Sequence, residues 1–351
     1  MRDLAVVGGG PVGLATALYA VRSGLSVTVL EPREGVVDKA CGEGLMPGGV
    51  AALAELGIEP RGSDLRGIRY LSATRCAEAD FTDGLGRGVR RTVLHEALSA
   101  EVAAGGVDVV ARAATGVAQG EGSVRVSTRG PGGSTGPVLE ARYVVAADGL
   151  HSPIRRALRL EVDARRPQRC GQRRHYGIRP WSSHVEVHWG RDGEAYVTPV
   201  DDELVGIAVL STRRASFEEQ LAGFPSLRER LAGAEPVTTV RGSGPLRQRT
   251  ARRVSGRVLL VGDASGYVDA LTGEGISLGM TQARAAVAAL CADRPQSYER
   301  AWRRASWRYA AMTHALVQGT RPAWARRAIV PAASAVPGLF RAAVAELGRT
   351  R

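Results

Sequence analysis

Carboxylates follow two apolar runs in this sequence, where they could contact a ligand. Asp263 follows four apolar residues in the stretch 257–276, RVLLVGDASGYVDALTGEGI, and Asp148 ends the run ARYVVAAD. Gly273 and Gly275 come soon after Asp263. An apolar run of this kind is typical of a buried strand, and glycine lets another group approach the backbone closely. The pattern predicts a carboxylate at a strand end beside thinly covered backbone.

The N-terminus carries a dinucleotide-binding pattern. LAVVGGGPVGLATALYAVRSGLSVTVLE reads as strand, glycine turn, helix and second strand, with Gly8, Gly10 and Gly13 spaced as G-x-G-x-x-G. These glycines permit a tight turn, close approach of backbone to a pyrophosphate and close helix packing, and the helix N-terminus attracts phosphate. Glu31, at the end of the second strand, is placed to accept hydrogen bonds from a ribose. An acid there disfavours a 2′-phosphate, so NAD and FAD remain as tight ligands.

Charge and cysteine content exclude other classes of protein. The chain of 351 residues has a net charge of +12, yet 46 of its 47 basic residues are dispersed arginines and only Lys39 is lysine. No stretch matches a nucleic-acid-binding motif, so we expect no nucleic-acid partner. The four cysteines lack metal-ligand spacing, so we expect no metal site.

The chain carries no signal of export or membrane insertion. The first strand begins near residue 3, leaving no room for a signal peptide, and no window holds about 18 uninterrupted apolar residues. We therefore expect a cytoplasmic protein with no transmembrane segment. Peripheral membrane contact by the basic helical region beyond residue 297 stays open.

Three motifs in order resemble the FAD-dependent oxidoreductases built like p-hydroxybenzoate hydroxylase. The first is the N-terminal glycine motif, the second is D-G-x-x-S-x-x-R and the third is a strand ending in Gly-Asp-Ala. The second and third are met by Asp148, Gly149, Ser152, Arg155, Gly262, Asp263 and Ala264. The resemblance implies that FAD is the tightly bound cofactor and that Asp263 holds its ribityl hydroxyls.

GDASGYVDALTGEGI and KACGEG are similar to the geranylgeranyl-reductase-like branch of these proteins. Ala270 stands where that branch has proline. The tryptophan-rich motif of the related flavin halogenases is missing, so we do not expect halogenation. In this branch Gly273 and Gly275 would let the isoalloxazine ring approach the backbone, and Ile276 would open a helix whose N-terminus faces the flavin pyrimidine.

Further cofactor contacts are implied by the same resemblance. Arg91, with its neighbour Arg90 as the rival, would reach the FAD phosphates, and Ala114, near the end of the VDVVARAA strand, would offer its backbone to the adenine. Cys41 and Gly42 would lie along the isoalloxazine ring, with Cys41 either a small buried neighbour or a proton donor.

Lys39 lies beside these residues, in the loop DKACGEGLMPGG. One interpretation is that this lysine remained by chance in a chain that otherwise uses arginine. The other interpretation is that the function of this position requires a compact ammonium and that a planar guanidinium cannot replace it.

The fold class we predict is α/β, with a Rossmann-like FAD-binding domain interleaved with an antiparallel-sheet substrate domain and followed by C-terminal helices. Strands such as HVEVHWG, EAYVTPV and ELVGIAVLS suit that antiparallel sheet. Trp302, Trp307 and Trp324 are expected to pack against the FAD-binding domain. The boundaries are 1–61, 91–160 and 251–296 for the FAD-binding domain, 62–90 and 161–250 for the substrate domain, and 297–351 for the helices.

Only one glycine fingerprint is present, so we expect a single bound FAD with NAD(P)H as a transient reductant. The favoured function is an NAD(P)H- and O2-dependent monooxygenase acting on a hydrophobic small molecule in specialised metabolism. The alternative is a reductase or dehydrogenase of carbon–carbon double bonds, and a weaker alternative is a non-catalytic flavin-binding protein. The sequence assigns no catalytic residue.

Overall fold

The computed structural model describes residues 1–164 and 168–350. The strands in chain order are β1 (Arg2–Val7), β2 (Val27–Leu30), β3 (Gly44–Leu45), β4 (Ser63–Leu65), β5 (Gly67–Leu71), β6 (Cys76–Asp80), β7 (Gly86–Gly88), β8 (Asp108–Val110), β9 (Ala113–Gln119), β10 (Val124–Arg129), β11 (Leu139–Ala146), β12 (Glu161–Val162), β13 (Cys170–Gly177), β14 (His184–Trp189), β15 (Gly193–Asp201), β16 (Leu204–Ser211), β17 (Glu235–Pro236), β18 (Arg241–Ser243), β19 (Arg249–Thr250), β20 (Val254–Ser255) and β21 (Val258–Leu260). The helices are α1 (Pro11–Arg22), α2 (Pro47–Glu55), α3 (Arg91–Ala104), α4 (Pro153–Ala157), α5 (Phe217–Leu221), α6 (Pro225–Arg230), α7 (Gly275–Cys291), α8 (Ser297–Gly319), α9 (Ala323–Ala335) and α10 (Pro337–Gly348).

The first sheet has a parallel core in the order β21-β11-β1-β2-β8. Its central strand β1 is buried on both faces, which is why the sequence there is a continuous apolar run. Helices α1, α3 and α7 cover one face through a shared apolar cluster. Since the strands are parallel, the polar residues that follow β1, β2, β11 and β21 meet at one edge.

The second sheet runs in the order β17-β13-β16-β15-β14-β5-β6. The hairpin of β15 and β16 forms as the alternating apolar positions predict. One pair departs from the expected antiparallel pattern, because β14 lies parallel to β5. These two strands come from chain segments separated by a long excursion through the first sheet, so no hairpin sets their relative direction.

The C-terminal helices pack on both sheets. In α8, the Trp302 indole donates to the Ser265 hydroxyl at 2.9 Å and lies under the Arg253 guanidinium, as expected for packing against the first sheet. The same expectation is wrong for Trp307 and Trp324, which are 58% and 73% exposed. Helices α9 and α10 pack instead against β5 and β6 of the second sheet.

Candidate functional site

The glycine turn between β1 and α1 is packed tightly on one side and open on the other. Gly8 has φ +104°, and a Cβ there would lie 2.5 Å from the carbonyl oxygen of Ala147. A Cβ on Gly13 would lie 1.8 Å from the Gly8 carbonyl oxygen. At Gly10, by contrast, a Cβ would meet only a terminal nitrogen of Arg91, at 3.5 Å. The N-terminus of α1 therefore faces open space beside a guanidinium, which suits a phosphate group.

Glu31 directly follows β2 and lies against this turn. Its carboxylate accepts hydrogen bonds from the Gly9 N–H at 2.9 Å and the Arg33 Nε at 2.7 Å. Burial opposes ionisation, but the bonds from Arg33 and Gly9 hold the pKa of Glu31 below its ordinary value. The side chain is therefore an ionised acceptor, as the ribose role requires; that role stays a prediction.

Arg91 reaches the glycine turn, where a terminal nitrogen lies near Gly10. The choice between Arg91 and its rival Arg90 stays a prediction, since the Nε of Arg90 is also buried without a described partner. Arg91 is the first residue of α3, and its Nε is buried with no hydrogen-bond partner among the described residues. Burial lowers the pKa of Arg91, although a guanidinium stays charged at neutral pH. An unsatisfied buried donor at a helix N-terminus is costly unless a ligand meets it.

His95 is a contact that sequence reasoning missed. It lies one turn after Arg91 in α3, is buried, and donates from Nε2 to the carbonyl oxygen of Gly9 at 3.0 Å. Burial lowers the pKa of His95, so the neutral ring pins the glycine turn at neutral pH. The i, i+4 spacing of His95 from Arg91 is the sequence signal that could have found it.

Asp263 lies at the tip of β21, in a 3₁₀ turn that begins with Gly262 at φ +58°. No described residue donates a hydrogen bond to its carboxylate. Burial raises the pKa of Asp263, while the charges of Lys39, Arg91 and Arg155 oppose that rise. The carboxylate is thus surrounded by cations but left open to accept hydrogen bonds from a ligand.

The D-G-x-x-S-x-x-R motif ties the ends of β11 and β21 together. The Arg155 side chain is fully buried, and its guanidinium donates to the carbonyl oxygens of Ala264 at 3.1 Å and Leu150 at 2.8 Å. Ser152 caps α4 by accepting from the Arg155 N–H at 2.9 Å. Burial raises the pKa of Asp148, and its Oδ1 lacks a partner within the described chain.

Lys39 lies among the residues that end the first-sheet strands. A Cβ on Gly149, which has φ +82°, would come within 3.5 Å of the Lys39 ammonium nitrogen. Desolvation in the cleft lowers the pKa of Lys39, as do the nearby Arg33 and Arg91, whereas Glu31 and Asp263 raise it. The Lys39 ammonium therefore lies beside the Gly149 turn although the residue is exposed, and its function there stays a prediction.

The loop that follows Lys39 is fastened to the second sheet. The Gly42 carbonyl oxygen accepts from the Thr198 hydroxyl of β15 at 2.8 Å. The Cys41 sulfur accepts from the Glu43 N–H at 3.4 Å. Burial raises the pKa of the Cys41 thiol, so the group keeps its proton at neutral pH.

Glu43 is the centre of a buried polar cluster that we call the loop clamp, formed by Asp38, Glu43, Arg173 and His175. The Glu43 carboxylate accepts from the Arg91 N–H at 2.8 Å and from His175 Nε2 at 2.6 Å. Arg173 donates to His175 Nδ1 at 3.1 Å and to Asp38. Because Arg173 must be the donor to Nδ1, His175 carries its proton on Nε2. That N–H donates a hydrogen bond to the Glu43 carboxylate.

A second polar cluster holds the loop between Asp263 and α7. Arg169 pairs with Glu194 of β15 and with Asp269 at 3.5 Å, and all three carry little exposed surface. The Tyr196 hydroxyl donates to the Leu271 carbonyl oxygen at 3.1 Å. Burial raises the pKa of Glu194 despite the arginine. Sequence reasoning assigned none of these side chains.

The remaining predicted contacts are placed as follows. Gly273 has φ +70°, and α7 begins at Gly275, one residue before Ile276. A Cβ on Gly275 would lie 3.4 Å from the ring of Tyr267. Ala114 does not end the strand after Val107, because β8 stops at Val110; it is the second residue of β9, paired with Thr128. Its contact with adenine stays a prediction.

The chain matches a known family over most of its length. The family model described as FAD binding domain matches residues 1–294. The chain belongs to this FAD-binding family. Digeranylgeranylglycerophospholipid reductase 1 of Methanothermobacter thermautotrophicus is 30% identical to the flavoprotein over 299 residues, which cover 79% of this chain and 74% of that protein. Menaquinone reductase of Mycobacterium tuberculosis is 28% identical over 309 residues, covering 81% and 75%.

Solved structures share the fold. A geranylgeranyl bacteriochlorophyll reductase-like protein from Thermoplasma acidophilum has a TM-score of 0.76 at 23% identity, covering 90% of this chain and 87% of that one. A myxobacterial chondrochloren halogenase has a TM-score of 0.80 at 22% identity, covering 99% and 91%. The predicted fold class and the resemblance to FAD-dependent oxidoreductases are confirmed.

The residues of the site fit FAD. The open space at Gly10 and the unpartnered Nε of Arg91 suit a diphosphate. The open carboxylate of Asp263 suits the hydroxyl groups of a sugar alcohol. Glu31 is an ionised acceptor at the end of the neighbouring strand. The first three groups are open toward a ligand, whereas Glu31 already accepts hydrogen bonds from Gly9 and Arg33.

Proposed function

We propose that the flavoprotein reduces a carbon–carbon double bond in the isoprenoid chain of a lipid. The observation that carries this proposal is the sequence similarity to the digeranylgeranylglycerophospholipid and menaquinone reductases over about four-fifths of the chain. It reverses the order suggested by the sequence, which favoured a monooxygenase. Insertion of oxygen into the substrate is the alternative function, and anaerobic turnover distinguishes it from reduction.

FAD, when bound, supplies hydride transfer, and NAD(P)H is its proposed reductant. The chain's own residues would hold the cofactor: Arg91 and the N-terminus of α1 at the diphosphate, Glu31 at the ribose and Asp263 at the ribityl chain. The loop clamp and the Arg169 cluster fix the two loops on either side of the proposed flavin ring. Rigid placement of these loops orients the substrate for reaction.

Buried apolar side chains lie next to those loops, where the substrate is proposed to bind. The cluster between the second sheet and the loop after Asp263 includes Met46, Leu271 and Tyr196. Tyr70 and Trp189 extend it, with ring centroids 5.4 Å apart. Such a lining excludes water and accepts an isoprenoid chain. Cys41 keeps its proton here, so it is either the small neighbour of the ring or the donor to the second carbon of the bond.

The test is anaerobic turnover with a geranylgeranyl lipid. We expect NADPH-reduced protein to reoxidise when the lipid is added without O2, and mass spectrometry to show a gain of two hydrogens per turnover. Reoxidation that needs O2 and places one oxygen in the product would overturn the proposal in favour of the monooxygenase. Cys41→Ser separates the two roles of the thiol, since only a proton donor would lower the reduction rate while leaving FAD content unchanged.

A further inference from the structure

Helices α9 and α10 are apolar on two sides. Their inner sides hold Val330, Phe340, Val344 and Leu347, which are buried against the second sheet. Their outer side carries Trp324, Leu339 and, at the break between the helices, Val336; these are 73%, 71% and 53% exposed. We call these three residues the exposed corner. An apolar side of a helix is normally buried against a neighbour, and the sheet covers only the inner apolar side of α9 and α10.

The chain segment that carries the exposed corner is basic. No Asp or Glu occurs between Glu299 and Glu346, whereas eight arginines do. Arg303 and Arg308 pair with those two flanking acids. Arg327 and Arg341, on the exposed sides of α9 and α10, form no ion pair with any described residue. The surface around the corner is therefore apolar with a positive rim.

We propose that the exposed corner binds the surface of an anionic lipid bilayer. Trp324 and Leu339 enter the boundary between headgroups and acyl chains, and Arg327 and Arg341 contact the headgroups. Tryptophan is favoured at that depth because its ring is apolar and its N–H is polar. Basic residues near an anionic surface add attraction that salt screens. A second copy of the chain is a poorer occupant, since two such corners would bring arginines against arginines.

The geometry favours lying on the bilayer over crossing it. In the part of the chain that the structure describes, no single helix has both the length and the apolar character of a membrane span. Helices α9 and α10 would qualify only as a pair, and they meet at a bend of 101°. The 13 residues of α9 rise about 20 Å, so Trp324 at its start and Val336 beyond its end are well-separated anchors.

The experiment is co-sedimentation of the full chain with vesicles of phosphatidylcholine alone or with 30% phosphatidylglycerol. We expect binding to the anionic vesicles that weakens as salt is raised. Trp324→Ser with Leu339→Ser, and separately Arg327→Glu with Arg341→Glu, should each lower the partition coefficient at least tenfold. Because the changed residues are exposed, the melting temperature should stay the same.

The matched control residues belong to the first-sheet region and are distant in sequence from the exposed corner. Val138 is 58% exposed and Arg129 is exposed on β10, and Val138→Ser with Arg129→Glu should bind as the parent does. No binding to anionic vesicles, or equal loss in this control, would overturn the proposal. So would a dimer in gel filtration that Trp324→Ser with Leu339→Ser dissociates, which would assign the corner to a second copy. The assay needs no turnover, so its result is independent of the proposed reaction.

Discussion

The Asp263 carboxylate lies within the field of three cations but is hydrogen-bonded to no described residue. Lys39, Arg91 and Arg155 oppose the rise in its pKa that burial causes. A carboxylate surrounded by cations, with its lone pairs open, is suited to accept hydrogen bonds from hydroxyl donors. Its position explains why the apolar run of β21 is followed by Gly262 and Asp263.

Asp263→Ala should therefore weaken FAD binding while leaving the fold intact. A hydrogen bond to a charged group contributes roughly 1.5–3 kcal/mol, so Kd should rise by about tenfold to a hundredfold. The measurement is FAD content after purification, followed by titration of the apoprotein. Asp202→Ala, an exposed carboxylate in the β15–β16 turn, is the control. Normal FAD affinity in Asp263→Ala would contradict the assignment of Asp263 as a ligand of FAD.

Lys39 tests whether the shape of a cation matters. Its ammonium lies beside the Gly149 turn, and the positive charges of Arg33 and Arg91 lower its pKa. A guanidinium is larger and planar, so Lys39→Arg should slow anaerobic FAD reduction even though it keeps the charge, and Lys39→Ala should be little worse. Melting temperatures should hardly move. If both variants keep the parental rate, the lysine has no role in the site and survived by chance.

At the scale of secondary-structure elements, the sequence could predict the features that lie within one continuous segment of the chain. The glycine turn, Glu31 and the Asp263 strand tip are each set within one strand–turn–helix segment, so their placement followed from pattern. The loop clamp did not, because Glu43 and His175 are 132 residues apart. No local pattern indicates that β13 returns beneath the loop of residues 38–43. The exposed Trp324 was missed for the same reason: helical spacing does not reveal which partner covers a face.

The loop clamp should control how often the loop that carries Lys39 opens. Because Lys39 is the single lysine of the chain, the protease Lys-C can cut only there, and the cleavage rate reports the open population. His175→Ala removes a hydrogen bond to a buried carboxylate worth roughly 1.5–3 kcal/mol, so cleavage should accelerate about tenfold or more. His184→Ala, a buried histidine of β14 bonded to Asp80, is the matched control. Equal acceleration in both variants would show general destabilisation and no clamp.

At the scale of the whole molecule, the candidate site joins the separate parts of the chain. Its groups come from the ends of β1, β2, β11 and β21, from the start of α3 and from a loop fastened to the second sheet. A ligand that contacts all of these binds only the folded arrangement, so it should stabilise the whole fold by mass action. Cofactor binding and global stability are therefore coupled in this protein.

Glu31→Ala measures that coupling. FAD at a hundred times its Kd stabilises the folded state by about 2.7 kcal/mol; if the substitution raises Kd tenfold, the same concentration gives only about 1.4 kcal/mol. The rise in melting temperature on adding FAD should thus be roughly halved, while the melting temperature without FAD falls little, because Glu31 follows its strand and does not lie within it. Glu34→Ala, an exposed acid of the same loop, should behave as the parent. An equal drop with and without FAD would instead make the bond from the Gly9 N–H to Glu31 a structural one.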